Sequence, residues 1–306
     1  MSLLEPQSTQ MSSGIEMKFC AMCGKELDDD ARFCSRCGAS TDATMYGGFT
    51  EKIEVDYPQS DSVKLELIVG AAGSIELEPG AGKFVEGTIE YEASEWKPLV
   101  TTIGDTVKIE QHQELHTYIH TNLLNRWSLK IGDTKPFNLD IRNGVGRATW
   151  NLSGLPITGI YLRAGAGVNS ISFKKPNPSV MRSIEVQAGA GELEMLGLLD
   201  ANLEQMKVRG GVGKIDLDFS GEKLQRSAYV NVGSGVGSLS ITVREGTPAR
   251  AQVRGISSVQ YGGFYRSRGS FGDSEYKTNT YDGATDPKLE FNLELGIGGV
   301  KLRTIP

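Results

Sequence analysis

A short glycine-containing phrase recurs seven times along the chain, and it limits the possible folds more than any other feature. Each copy has a small residue, an aliphatic residue and a glycine, followed by alternating polar and apolar residues. The copies are Ala71-Ala72-Gly73, Gly144-Val145-Gly146, Gly165-Ala166-Gly167, Gly189-Ala190-Gly191, Gly211-Val212-Gly213, Gly235-Val236-Gly237 and Gly296-Ile297-Gly298. The last glycines of the middle five copies are 21, 24, 22 and 24 residues apart. Such a period is typical of stacked supersecondary units, so we interpret the glycines as architecture and not as nucleotide-binding loops.

Three apolar columns emerge when the copies are aligned on their last glycine. The column two residues after it contains Ile75, Ala148, Asn169, Leu193, Ile215, Leu239 and Val300. The column four residues after it contains Leu77, Trp150, Ile171, Met195, Leu217, Ile241 and Leu302. The column five residues before it contains Ile68, Ile141, Leu162, Val186, Val208, Val232 and Leu293. Mostly polar residues separate the columns, and this period of two predicts strands with one buried face.

The alignment also makes predictions about individual side chains. Asn169 interrupts an apolar column, which a side-chain hydrogen-bond ladder or a local shift of register would explain. On the exposed face, Glu194 and Asp216 are predicted to be like-charged neighbours, while Glu192 is predicted to lie beside Lys214. Exposed pairs of this kind are worth about 1 kcal/mol at most.

Each unit is therefore predicted to be a strand, a glycine corner and a second strand. Glycine suits such a corner because it tolerates positive φ and lacks a Cβ where neighbouring coils stack closely. No convincing helical period occurs in residues 137–250. The predicted fold class is all-β, a repeat-built parallel β-solenoid with a small N-terminal zinc ribbon. A β-sandwich built of repeated hairpins is the alternative, because turns every 8 to 12 residues fit it as well.

The four cysteines of the chain form two matching pairs near the N-terminus. Both pairs have the pattern Phe-Cys-x-x-Cys-Gly, and ten residues separate them. Two such pairs at short spacing predict a tetrahedral structural zinc site. The predicted ligands are Cys20, Cys23, Cys34 and Cys37. Four protein ligands leave no open position for a substrate, so the predicted Zn²⁺ is structural.

Three other interpretations of these cysteines are weaker. Two disulfides require an oxidising compartment, and the sequence carries no apolar export signal. A redox-active pair would need a thioredoxin-like βαβ context, which is missing from the sequence pattern. An iron centre of the rubredoxin type stays open, because a site of four sulfurs accepts either metal.

The rest of the chain divides by composition. We predict a disordered arm at 1–16, the zinc ribbon at 17–39, a polar linker at 40–60 and the β-repeat domain at 61–306. Inserts interrupt the repeat at about 84–136 and 244–290, and we expect them to cap or flank the two ends of the stack. The net charge of −6 gives no general electrostatic attraction to nucleic acid or to an anionic membrane. Because no stretch approaches 18 apolar residues, we predict no transmembrane segment and a cytoplasmic location, with membrane-peripheral placement as the variant.

Two further motifs lie in the inserts. His112, His116 and His120, with Glu114 between them, are spaced so that a weak metal site is conceivable, but a polar, solvent-facing segment is the favoured interpretation. The stretch 261–269 interleaves aromatic residues with arginine and glycine, a pattern found in contacts to single-stranded nucleic acid. Because it is short and the chain is acidic, we expect an exposed hairpin or loop there.

The β region resembles the bacterial toast-rack domains, which occur at the C-terminus of LiaF-like cell-wall-stress proteins and in related adhesin-like domains of unknown function. The resemblance rests on Trp127–Ile131, on Pro136–Gly146, on the repeated glycine corners, and on the closing segment from Tyr281 to Gly298. It covers roughly residues 60–305, and it implies an envelope-stress or surface-associated scaffold without known catalysis. Toast racks are often joined to membrane helices, which are missing from this sequence.

These observations predict a non-enzymatic bacterial scaffold that binds another protein, with the zinc ribbon as its docking module. Carbohydrate binding or carbohydrate-active catalysis on a β-helical face is an alternative, and nucleic-acid binding through the ribbon is another. The sequence names neither the partner nor the oligomeric state, so homo-oligomer formation stays open. No catalytic or cofactor-binding residue is predicted beyond the zinc ligands.

Overall fold

A computed structural model describes residues 18–19, 25–28, 31, 34–36, 48–70, 72–92, 94–111, 124–270 and 272–306, with only the backbone described at 18, 19, 256 and 257. The chain forms two compact units, one of Met1–Gly47 with His116–His120 and the other of Gly48–Leu115 with Thr121–Pro306, here called the β unit. The strands are β1 (Lys18–Phe19), β2 (Glu26–Leu27), β3 (Phe49–Val55), β4 (Val63–Ile68), β5 (Ala72–Pro79), β6 (Val85–Tyr91), β7 (Leu99–Ile103), β8 (Thr106–Glu110), β9 (Asn125–Ile131), β10 (Phe137–Asn151), β11 (Ile157–Ser172), β12 (Met181–Leu196), β13 (Leu203–Phe219), β14 (Ala228–Arg244), β15 (Ala249–Gly262), β16 (Phe264–Ser270), β17 (Asp273–Thr278) and β18 (Leu289–Ile305).

Seven long parallel strands form the centre of the β unit. Their order is β10, β11, β12, β13, β14, β18 and β15. Each runs without interruption through its corner, so one strand replaces the predicted pair of strands in each unit. The segments before and after the corner bury their faces in one common core, which makes the β unit two-layered. We call the segments before the corner the first layer and those after it the second layer. The predicted all-β, parallel, repeat-built fold is confirmed.

The corners require glycine because successive coils touch there through their backbones. Gly213 has φ +142°, and a Cβ on it would lie 1.8 Å from the carbonyl oxygen of Gly191. Gly237 stacks in the same way on Gly213, with φ +146° and the same distance of 1.8 Å. Register follows from this contact, since the last glycines of neighbouring copies pair directly.

The predicted columns line the core, with one error in the first copy. Leu67 is fully buried and pairs with Ile141, whereas Ile68 is only half-buried. The prediction of Ile68 as a column member is therefore wrong. The first copy has one residue more between its column and its glycine, and it accommodates that residue by breaking into β4 and β5.

Asn169 lies in register with Ala148 and Leu193, so a shift of register does not explain it. The residue is buried, and its Oδ1 has no hydrogen-bond partner among the described residues. The proposed side-chain ladder is therefore not found at this oxygen. An unpaired buried carbonyl costs free energy, so Asn169 is a destabilising position in the core.

The N-terminal end of the stack is built from the segment predicted as an insert and from the strands before it. The first coil, β4 with β5, is followed outward by a further coil, β8 with β9. Beyond that coil, β7 pairs antiparallel with β8 in the first layer. In the second layer β6 pairs antiparallel with β9, and β3 with β6. The second layer thus extends one strand further than the first.

The C-terminal end contains a long strand that the sequence did not reveal. β15 repeats the architecture of the other long strands, but Ser257 takes the place of the last glycine and pairs with Gly298. The final strand β18 inserts between β14 and β15 and does not end the stack. β17 and β16 then add antiparallel to the first layer only.

Replacing a corner glycine should damage the stack far more than replacing another glycine of the same strand. We expect Gly237→Ala to lower the free energy of unfolding by about 3 kcal/mol or more, because the methyl group would overlap a carbonyl oxygen. Gly233→Ala is the matched control, since no atom lies within 4 Å of a Cβ placed there. Urea unfolding measures both values. Equal losses for the two variants would contradict backbone contact as the reason for glycine.

Asn169→Leu should raise the free energy of unfolding by about 1–2 kcal/mol, because it removes a buried amide whose oxygen has no described partner from an apolar column. The reverse change one coil away, Leu193→Asn, should lower the same free energy by about 3 kcal/mol. Thermal or urea unfolding of both variants tests this. A destabilised Asn169→Leu would mean that the amide has a structural role.

Candidate functional site

The glycine corners leave no space for a ligand. The crevice along the stacked corners between Gly165 and Gly213 encloses about 10 Å³, which is room for about one water molecule. The neighbouring backbone fills the rest, as a Cβ on Gly191 would lie 2.0 Å from the oxygen of Gly167. The prediction that these are not phosphate loops agrees with this packing.

The described part of the N-terminal unit contains one small pair of strands. β1 and β2 pair antiparallel, with Lys18 opposite Leu27 and Phe19 opposite Glu26. The first cysteine pair lies between these strands in sequence. Cys20, Cys23 and Cys37 fall outside the described residues, so the complete ligand set stays a prediction.

Cys34 is the one predicted ligand whose surroundings the structure describes. It is 2% exposed, and its Sγ accepts a hydrogen bond from the backbone N–H of Arg36 at 3.4 Å. A donor aimed at sulfur favours the thiolate over the thiol, as a metal ligand requires. Lys25 Nζ donates to Ser35 Oγ at 2.7 Å and so joins the segment after the first pair to the second. This environment fits a structural Zn²⁺ held by thiolates.

The histidine motif, with His112, His116, His120 and Glu114, lies outside the described residues. Its metal-binding interpretation therefore stays a prediction. Within the parts of the chain that the structure does describe, no three His, Cys, Asp or Glu side chains cluster closely enough to hold a metal ion.

The aromatic and arginine stretch forms the end of β15 and the strand β16. β16 pairs antiparallel with β17, so the predicted exposed hairpin is confirmed. The rings of Tyr261 and Tyr276 are 5.0 Å apart between centroids. Arg266 Nη2 donates to Ser274 Oγ at 2.9 Å across the hairpin.

The charged pairs predicted on the outer face are found in register. Glu194 lies opposite Asp216, and Glu192 lies opposite Lys214. Lys214 forms an ion pair with Asp216, and this hydrogen bond raises the pKa of Lys214, with smaller contributions from Glu192 and Glu194. Ser170 Oγ donates to Glu194 at 3.0 Å. Lys214 thus reduces the repulsion between the neighbouring carboxylates of Glu194 and Asp216.

A cationic cage around Tyr281 was not apparent from the sequence. Lys288 Nζ lies 4.5 Å and Lys277 Nζ 5.3 Å from the centre of the ring, with Arg250 at 5.8 Å. The Tyr281 hydroxyl donates to Glu290. Burial first, and this hydrogen bond second, raise the pKa of Tyr281 to about 12. Its residues come from three separate strands and loops, so no local pattern indicates it.

The titration of Tyr281 should occur above that of an ordinary tyrosine. Because the folded pKa of about 12 exceeds the usual value near 10, this residue stabilises the fold fully below pH 10. The contribution is lost as the pH rises from 10 to 12. The phenolate absorbance of the wild type minus that of Tyr281→Phe, measured as the pH is raised, should increase with a midpoint near the pKa of about 12. A difference curve centred near pH 10 would contradict burial of the phenol and its hydrogen bond to Glu290 as the causes of the raised pKa.

The described residues contain no helix that is long and apolar enough to cross a membrane.

A zinc-ribbon domain profile matches residues 19–41. No curated protein matches the chain.

Several solved structures are similar to this chain. A candidate cell adhesion protein from Clostridium sporogenes is 21% identical, with a TM-score of 0.45, and the match covers 84% of this chain and 100% of that one. A candidate adhesin from Bacteroides fragilis is 12% identical, with a TM-score of 0.37 and coverage of 83% and 96%. A candidate adhesin from Parabacteroides merdae is 9% identical, with a TM-score of 0.34 and coverage of 85% and 96%.

The profile of the N-terminal domain of toast_rack, DUF2154, matches residues 45–179 and 175–242. Together these segments span well over half of the chain. They contain the first six glycine corners and the coils around them. The chain therefore belongs to the toast-rack family defined by this domain.

Proposed function

We infer that this protein is a non-enzymatic scaffold that binds another protein along its β unit. The observation that carries this proposal is a row of exposed apolar side chains on the glycine corners. Val145, Val212, Val236 and Ile297 are 53%, 60%, 46% and 64% exposed. With the alanines between them they lie in register on successive coils. We call this row the corner ridge.

The corner ridge fits a protein surface better than a small molecule. A continuous apolar row on a soluble β fold is a feature of interaction sites, because exposing it to water costs free energy. The crevice beneath it is too small for a ligand. A partner could contact several coils at once, since the rigid strands keep their spacing fixed.

The finer parts of the proposal concern the ribbon and the cellular role. We propose that the zinc ribbon docks a partner, with Cys20, Cys23, Cys34 and Cys37 holding a structural Zn²⁺. The support is the match of the zinc-ribbon profile and the buried, hydrogen-bonded Cys34. The resemblance to LiaF-like proteins supports a role in envelope stress, performed in the cytoplasm or at the membrane periphery.

Charge on the corner ridge should abolish partner binding. In bacterial cells expressing the protein, we expect crosslinking to yield a specific adduct that the double variant Val212→Asp, Val236→Asp loses. Ser238→Asp with Ser240→Asp on the same strand is the matched control, and it should keep the adduct. No specific adduct with the wild type, or equal adducts with all three proteins, would contradict the role of the ridge.

Removing zinc should unfold the ribbon and leave the β unit intact. A segment of about twenty residues cannot form a core of its own, so its order depends on the metal. Cys34→Ser should lose the bound zinc, while Ser35→Ala should retain one zinc per chain, as measured by elemental analysis. Chelation should leave the main thermal transition unchanged. A simultaneous loss of both units would contradict their independence.

A further inference from the structure

The two layers of the β unit end at different places at the C-terminal end. The first layer continues past β15 with β17 and β16. Among the described strands β15 is the last of the second layer, and within this part of the chain its residues 258–262 pair only with β18. The inner face of the two extra strands therefore overhangs a space in which the second layer has no strand.

This space is a cleft of about 770 Å³ that we call the end slot. Val259 and Tyr261 of β15 line one side of it. Tyr276 and Arg266 line the other, and Ser274 lies beside them. Tyr261 is 49% exposed although its equivalent in the neighbouring coil, Leu302, is fully buried. The slot thus has the position and the apolar lining of an unfilled part of the core.

The floor of the end slot is an unpaired strand edge. In a strand that pairs on one side only, every second residue directs its N–H and C=O groups outward. Among the described residues, no strand and no backbone hydrogen bond occupies the outer side of 258–262. Exposed edges are usually protected from pairing by proline or by charged residues such as lysine, and residues 258–262 contain neither.

The charge of the end slot selects among extended segments. Arg266 lies in register with Tyr276 and so projects from the inner face of the overhang. It donates to the neutral Ser274, and within the described part of the chain no carboxylate pairs with it. Arg250 and Arg254 of β15 pair with carboxylates and do not line the slot, so Arg266 is the charged residue that faces it among the described residues. An acidic side chain on the incoming segment would form a charge-assisted hydrogen bond with Arg266.

A second copy of this chain does not fit the slot. At the N-terminal end the second layer exceeds the first by one strand, β3, whereas the overhang at the C-terminal end is two strands wide. Suppose that β3 of a second copy paired with β15 in the second layer. In the first layer, β7 of that copy would then lie two strands beyond β15, where β16 already lies. A single extended segment avoids this overlap.

We propose that the end slot binds an extended, acidic segment of a partner protein, which adds to residues 258–262 as a further strand of the second layer. Backbone hydrogen bonds to β15 would supply binding energy that is independent of sequence. Contacts to Val259, Tyr261 and Arg266 would select apolar side chains alternating with an acidic one. This proposal rests on the interaction role proposed above, but it names a site separate from the corner ridge.

The test uses a library of random nine-residue peptides selected against the full chain. We expect selected peptides to carry an acidic residue among β-branched or aromatic ones. They should bind Arg266→Glu at least about tenfold more weakly than the wild type, and Arg266→Gln with a smaller loss. Arg268→Glu is the matched control, because Arg268 lies on the same strand and does not line the slot. Its affinity should stay within about twofold of the wild type.

Hydrogen exchange of the complex identifies the site directly. A bound peptide should slow exchange of the outward amides in 258–262. Peptides that bind Arg266→Glu and Arg268→Glu equally, or that protect the corner ridge instead, would contradict peptide binding at the end slot. Neither result would contradict the interaction role proposed for the corner ridge. A selection that yields no binder would also contradict peptide binding at the end slot. The crosslinking experiment on the corner ridge tests the proposed scaffold role separately.

Discussion

The structure depends on the contact between the backbones of stacked glycines. From the second copy onward, each last glycine lies against the carbonyl group of its equivalent in the neighbouring coil, at a distance that excludes a Cβ. This contact aligns the long strands, and the alignment sets which side chains face inward on both sides of the corner. Because side chains alternate with a period of two, a slip of one residue would expose a whole column. The first coil absorbs its additional residue by breaking the strand between Leu67 and Gly73.

Much of this architecture could be predicted from the sequence, because the repeat expresses it at every coil. The columns, the corners and the paired charges of Glu192 and Lys214 follow from one alignment. β15 escaped detection because Ser257 stands where the other copies have glycine. The insertion of β18 between β14 and β15, and the cage around Tyr281, depend on contacts between distant segments. No local pattern encodes such contacts.

The same regularity indicates where function belongs. The side chains of the core columns and the corner glycines pack against neighbouring coils and are not available to a partner. We therefore expect binding at features that the repeat does not require. Three such features are the corner ridge, the unequal ends of the two layers and the zinc ribbon. The ridge offers a long apolar contact, while the end slot offers an unpaired strand edge and an arginine, Arg266, that no carboxylate of the described residues pairs with. We therefore propose a rigid scaffold in which these features serve as separate contact sites.

Hydrogen exchange of the free protein tests the central claim, that stacked corners make the coils one cooperative unit. We predict that amides of β10 to β14 and β18 exchange slowest and at similar rates, including those at the corners. Amides of the edge strands β3, β7 and β16 should exchange earlier, because they pair on one side only. Corner amides that exchange as fast as surface turns, or coils that exchange independently of one another, would contradict the account.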